Sequence, residues 1–109
     1  MIKPNSYYLR EIEKISLLTV EEEKALATKA SSGDKLAKKK LVEANLRFVV
    51  KIANEYLGYM DIEDLINEGN MGLITAIDKF EVERGFHFIS YAVWWIRQSI
   101  LKAICERSR

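Results

Sequence analysis

Apolar residues recur along most of the chain at intervals of three and four, the repeat of a helix with one buried face. Between Asp61 and Phe80, the residues Ile62, Leu65, Ile66, Gly69, Leu73, Ala76, Ile77 and Phe80 trace one such face, and Asp61 is suited to cap it. Leu36, Leu41, Ala44, Phe48, Ile52 and Tyr56 keep a similar spacing behind Asp34, and predict one long helix reaching Gly58. Thr19 followed by Glu22 has the form of a capping box, predicting a helix from about Val20 to Ser32 with Gly33 as its stop. Upstream, Pro4 and the apolar Tyr8, Ile12 and Ile15 predict a short amphipathic helix. The segment "EVERGFHF" interrupts the repeat at Gly85, and a last helix is predicted from about Ser90 to the chain end. No stretch sustains a period of two, so no sheet is expected. The expected fold is all-α, a compact bundle of about five helices in which residues 1–33 and 34–109 form one domain.

Two helices carry more than a core face. Away from the apolar stripe of the Asp61–Phe80 segment lie Asp64, Asn67, Glu68, Met71, Ile74, Thr75 and Asp78. An apolar pair rimmed by carboxylates and amides suits protein docking, while a solvated face with two tolerated apolar residues is the reading that the wheel alone favours. Gly69 lies on the core stripe, where a missing Cβ lets another helix approach closely. In the last helix, Val93, Ile96, Ile100, Ala103 and Ile104 make a sufficient core face. Tyr91, Trp94, Trp95, Gln98, Leu101 and Lys102 fall on the other side, with Arg97 at its edge.

Composition narrows the function. A chain of 109 residues has room for one core, and a net charge of +1 gives no strong charge-driven affinity for nucleic acid. Cys105 is the only cysteine and His87 the only histidine, which excludes a disulfide framework or a Cys/His zinc site within the chain. Cys105, without a neighbouring base or thiol, reads as structural. No run is long and apolar enough to span a membrane, and "MIKPNSYYLR" lacks the apolar core of a signal peptide, so a cytoplasmic protein is expected. Phosphate-binding loops, dinucleotide turns and nucleophile elbows are missing, and the carboxylates of "DIEDLINE" lack the calcium-loop spacing. No enzyme activity, metal or cofactor is expected.

What stands out is a local concentration of rings. Of the two Trp, five Tyr and four Phe, six lie between Phe80 and Trp95: Phe80, Phe86, Phe88, Tyr91, Trp94 and Trp95. Lys79, Arg84, Arg97 and Lys102 interleave with them. Rings beside cations are what unpaired bases need, one to stack on and the other to neutralise phosphate. Packing beneath the preceding loop or against a neighbouring helix is the other reading, and His87 is either a phosphate or base contact or a loop residue.

With both surfaces in view, the chain resembles the sigma-70 family of bacterial transcription initiation factors. The resemblance rests on "YYLREI…LLTVEEE", "LVEANLRFVVKIA", "DLINEGNMGLITAIDKFEVERGFHFISYAVWWIRQSI" and "AICERSR", and covers Tyr7 to Arg109, regions 1.2 and 2 in family terms. It implies that the Asp61–Phe80 helix docks on the clamp-helix coiled coil of the beta-prime subunit of core RNA polymerase, through Asp64, Asn67, Glu68, Asn70 and Ile74. Asn67 and Ile74 stand where many members have glutamine and methionine. It further implies that the aromatic region reads and melts the minus-ten promoter element. Trp94 and Trp95 would form a wedge at the upstream edge of the bubble, and Tyr91 would take the place of a flipped adenine. Phe80, Arg84, Phe86, Phe88, Ser90 and Gln98 would shape the adenine pocket or hold the nontemplate strand, and Asn45, Arg47 and Phe48 would capture a second flipped base. Arg97 and Lys102 would meet phosphates, and Tyr8, Leu9 and Arg10 would lie near the discriminator DNA.

Two departures are visible. Leu101 stands where many members have a threonine that reads the first base pair of the element, and leucine cannot donate that hydrogen bond. The segment "EYLGYMDIEDL" is slightly shorter than the matching loop of many members. The family continues into regions that contact other promoter elements, so an excised domain is the expectation for a chain ending at Arg109. The rival reading is a protein-interaction module, a decoy or a fragment whose aromatic face is covered by an anti-sigma protein.

Overall fold

A computed structural model describes residues 18–81 and 87–107, which form five α-helices. The order is α1 Val20–Ser31, α2 Lys35–Ala44, α3 Leu46–Asn54, α4 Ile62–Lys79 and α5 Phe88–Arg107. No strand occurs among the described residues; Leu57 and Met60 form only an isolated bridge. The all-α bundle expected from the spacing is therefore what the chain builds. The expected helix around Tyr8, Ile12 and Ile15 lies outside the described residues, as does most of the "EVERGFHF" break.

Local chemistry sets the helix ends. The Thr19 hydroxyl accepts the Glu22 N–H at 3.1 Å while the Glu22 carboxylate accepts the Thr19 N–H at 3.1 Å, which completes the capping box of α1. Hydrogen bonding to the Glu22 carboxyl, from the Thr19 backbone first and then from its side chain, holds it below its usual range. Asp34 caps α2 through Ala37 N–H at 3.0 Å. Gly33, at a φ of 101°, and Gly58, at a φ of 100°, turn the chain where other residues would be strained. Asp61 stands at the N-cap of α4, with no side-chain hydrogen bond to the helix.

One predicted element is divided. The apolar spacing from Leu36 to Tyr56 reads as a single helix, but the chain breaks at Asn45, which closes α2 and opens α3. The physical cause is the Asn45 side chain, buried and donating from Nδ2 to the Leu41 carbonyl at 2.8 Å. That bond competes with helix continuation. Leu36, assigned to the apolar face, is exposed in the first turn of α2, and the last helix begins two residues earlier than predicted, at Phe88.

The core is built around α4 and α5. Leu65, Leu73 and Ile77 from α4 are fully buried with Phe88, Ile96 and Ile100 from α5, and Leu41 and Val49 extend the cluster into α2 and α3. Each such side chain contributes about 1.5–3 kcal/mol of burial. Ala103 and Ile104, at the end of the predicted α5 stripe, are only half-buried. α1 packs on α2, α4 and α5, and α3 packs on α4 and α5. No described helix is long and apolar enough to cross a membrane.

Two glycines let neighbouring helices close on α4, Gly69 towards α3 and Gly72 towards α5. A Cβ on Gly69 would lie 2.7 Å from the Val49 Cγ1 methyl. A Cβ on Gly72 would lie 2.5 Å from the Trp95 carbonyl oxygen and 2.9 Å from the Ile96 Cα, both backbone atoms. The expectation for Gly69 thus holds, and Gly72 is the stricter position. A side-chain methyl can shift, whereas backbone can yield only if the helices separate. Gly72→Ala is expected to lower unfolding stability by about 1–3 kcal/mol despite the better helix propensity of alanine. Gly69→Ala should cost less. Urea denaturation followed by circular dichroism checks the order, and a Gly72→Ala chain as stable as the parent would contradict it.

Candidate functional site

The helical repeat of α5 places Trp94, Gln98, Leu101, Lys102 and Cys105 on one exposed stripe. Behind Trp94, which is 39% exposed, a continuous ladder of rings runs inward. Trp94 meets Trp95 edge to face at 4.9 Å, Trp95 meets Tyr91 at 6.2 Å, Tyr91 meets Phe80 at 5.6 Å, and Phe80 meets the buried Phe88 at 5.2 Å. Edge-to-face and tilted pairs of this kind are attractive beyond their burial. The wheel sets Tyr91 and Trp95 apart from the core; both are instead half-buried against it. Adjacent residues on a helix diverge by about 100°, so one ring of the pair faces solvent while the other lies over the α4 end.

The end of α4 anchors the ladder. The Tyr91 hydroxyl donates to the Lys79 carbonyl at 3.3 Å, and Lys79 Nζ lies 5.7 Å from the centre of the Trp95 ring. Lys79 is a residue that composition lists only among interleaved cations; its position directly before Phe80 at the helix end is the signal that marks it. The Trp95 indole N–H is buried with no acceptor among the described residues. Such a group costs about 1–3 kcal/mol, so packing against α4 outweighs its polar satisfaction. Chemically, the surface offers one large ring face, an ammonium group and the polar ends of Gln98 and Lys102.

The other residues implied by the resemblance are distributed unevenly. Arg47, His87, Gln98, Leu101 and Lys102 are exposed, and Ser90 is half-buried. Asn45, Phe48, Phe80 and Phe88 are packed in the interior, and a base reaching them would require those side chains to leave it. Arg97 is engaged within the protein: Nη1 lies 2.6 Å and Nη2 3.3 Å from the Glu55 carboxylate, and Nη1 also donates to the Tyr56 hydroxyl at 3.4 Å. Tyr8, Leu9, Arg10, Arg84 and Phe86 lie outside the described residues.

A second surface lies on the outer side of α4. Met71 is 60% exposed and Ile74 39%, flanked by exposed Asn67 and Asp78 and half-buried Asp64 and Glu68. Asn70 turns differently, with its side-chain oxygen buried and unpartnered among the described residues. Next to this face a cleft of about 310 Å³ opens between α4 and the end of α5, lined by Met60, Asp64, Asn67, Glu68, Ala103, Glu106 and Arg107. Arg107 spans it to Asp64 at 3.0 Å. Three carboxylates face one guanidinium there, so the cleft favours a cationic partner.

Glu23 is a further residue that sequence reasoning missed. It is 6% exposed on α1, and its Oε1 accepts the Ile89 N–H at the start of α5 at 3.4 Å. Burial pushes its carboxyl above the usual range, opposed by the Ile89 N–H, the neighbouring His87 and the Phe88 N–H. The signal was its spacing, since Glu23, Ala27 and Ala30 share the buried face of α1.

Comparison with known proteins agrees with this geometry. The family model of Sigma-70 region 2 matches residues 41–109, and that of Sigma-70 factor, region 1.2, matches residues 6–36. The RNA polymerase sigma factor SigA of Clostridium acetobutylicum is 53% identical over 107 residues, 97% of this chain. The chain spans 28% of that relative's length. Family-model matches across both halves of the sequence, joined in one helical core, establish that the chain belongs to the sigma-70 family.

Proposed function

We propose that this chain is the part of a sigma factor that binds core RNA polymerase and recognises and melts the minus-ten promoter element. The single observation that carries the reading is the ring ladder, which ends in an exposed Trp94 packed edge to face on Trp95, itself beneath the Lys79 ammonium group, on a helix whose core is complete without Trp94. The outer face of α4 docks on the beta-prime clamp helices through Asp64, Asn67, Glu68 and Ile74, with Asn70 supporting the face from its inner side. Asp64 is held at 3.0 Å by Arg107, so docking exchanges one cation for another at that carboxylate. The polymerase and the promoter DNA are the partners, and the cytoplasm is the compartment where they meet.

On α5, Trp94 and Trp95 act as the wedge against the last closed base pair, and Tyr91 stacks where the flipped adenine leaves. Gln98, Ser90 and His87 supply polar contacts, and Lys102 meets a phosphate. Phe80 and Phe88 hold Tyr91 from behind. Arg47 marks the approach to a second flipped base, for which the buried Asn45 and Phe48 must open. Arg97 reaches a phosphate only by loosening its pair with Glu55. Leu101 offers a methyl surface in place of a hydrogen bond, which relaxes readout of the first base pair.

Energetically, base–ring stacking contributes about 1–3 kcal/mol per base, comparable to the cost of extruding a base from the duplex. Strand opening then follows from binding energy without a cofactor or nucleotide hydrolysis. A net charge of +1 leaves little nonspecific attraction, so polymerase supplies much of the affinity.

Two measurements test the two surfaces separately. Bound to core polymerase, the chain should prefer a nontemplate minus-ten oligonucleotide over a scrambled one, and Trp94→Ala combined with Trp95→Ala should weaken that preference at least about tenfold. Equal binding of both oligonucleotides by the parent chain contradicts base reading. Separately, Glu68→Lys should weaken binding to a beta-prime clamp-helix fragment about tenfold in a titration, by turning an attractive charge repulsive. Unchanged affinity contradicts the docking face.

A further inference from the structure

A helix start leaves backbone N–H groups without intrahelical acceptors, and α5 has such groups at Phe88 and Ile89. The Glu23 carboxylate approaches them from α1, a helix 66 residues away in sequence. A carboxylate only 6% exposed is costly to bury, and donors at a helix N-terminus, where the dipole is positive, are the groups that offset this cost. Glu23 is also anchored on its own side, because Ala27 and Ala30 fix the same face of α1 in the core.

We infer that Glu23 is a positioning residue for base reading, acting as an N-cap supplied in trans from α1 that fixes the start of α5 and, through it, the ring ladder. The inference rests on the proposed role of that ladder. Its route is short. Phe88 lies at the capped end, contacts Phe80 at 5.2 Å, and Phe80 contacts Tyr91 at 5.6 Å. Tyr91 is one turn further along α5, and its N–H reaches back to the His87 carbonyl at 3.4 Å. Loosening this turn moves Phe88 and Tyr91 together. The outer face of α4 has no part in this chain of contacts, so the effect is confined to the DNA-facing surface. α1 thereby acquires a role in promoter reading without touching the base that Tyr91 replaces.

The test compares Glu23→Ala, which removes the acceptor, with Glu23→Gln, which keeps an oxygen at the same place without the charge. In amide hydrogen exchange on the free chain, the Ile89 N–H should lose protection in Glu23→Ala, while the amides around Leu73 in α4 stay protected. With core polymerase present, Glu23→Ala should bind the nontemplate minus-ten oligonucleotide about fivefold more weakly. Glu23→Gln should remain within about twofold of the parent, and both should bind the clamp-helix fragment unchanged. Undiminished Ile89 protection in Glu23→Ala overturns the inference whatever the DNA result. So does a Gln variant as impaired as the Ala variant, or a parallel loss of clamp-helix binding, which marks general destabilisation. Failure of the parent chain to discriminate oligonucleotides, with the exchange result as expected, instead overturns the reading of the ladder and leaves the cap intact.

Discussion

The close approach of α4 and α5 at Gly72 governs the rest of the structure. With no Cβ there, the Trp95 carbonyl and the Ile96 backbone lie directly on α4, and the rings that follow are held at a fixed height above the α4 end. Tyr91 can then reach the Lys79 carbonyl, and Trp95 can lie beneath the Lys79 ammonium group. The same contact aligns the end of α5 with the outer face of α4, where Arg107 meets Asp64. The two surfaces proposed to meet different partners are thus carried by one packed pair of helices. On the proposed reading, a partner held through α4 finds α5 presented to the other partner with little freedom between them.

Much of this was legible because helical spacing reports directly on burial. Leu65, Leu73, Ile77, Val93, Ile96 and Ile100 fall on the predicted faces and are buried. The capping box at Thr19 and the stops at Gly33 and Gly58 depend on neighbours in sequence, so they too could be read. The division at Asn45 could not, since the apolar repeat continues across it and the cause is a side-chain bond to Leu41 that spacing does not encode. Periodicity assigns a face; it does not detect a competing hydrogen bond.

The site was legible in a different way. Exposure of Trp94, Gln98 and Lys102, and of Met71 and Ile74, follows from the wheels. The half-burial of Trp95 does not, because it depends on Gly72 lying one helix away. Glu55 as the partner of Arg97 and Glu23 as the partner of Ile89 are contacts across 42 and 66 residues, and no local pattern predicts either. Glu23 sits on an otherwise ordinary helix and Glu55 just past the end of another. Such long-range pairs decide which cations and which helix ends remain free for a ligand, so they determine the site as much as the exposed rings do.

The central claim is that the aromatic face of α5 reads unpaired bases while α4 is held by polymerase. The most direct measurement is selection from a random single-stranded DNA pool by the chain bound to core polymerase, followed by sequencing. The account predicts enrichment of one short minus-ten-like motif, lost when Trp94 and Trp95 are both replaced by alanine. An unenriched pool, or the same motif selected by the doubly substituted chain, would contradict it.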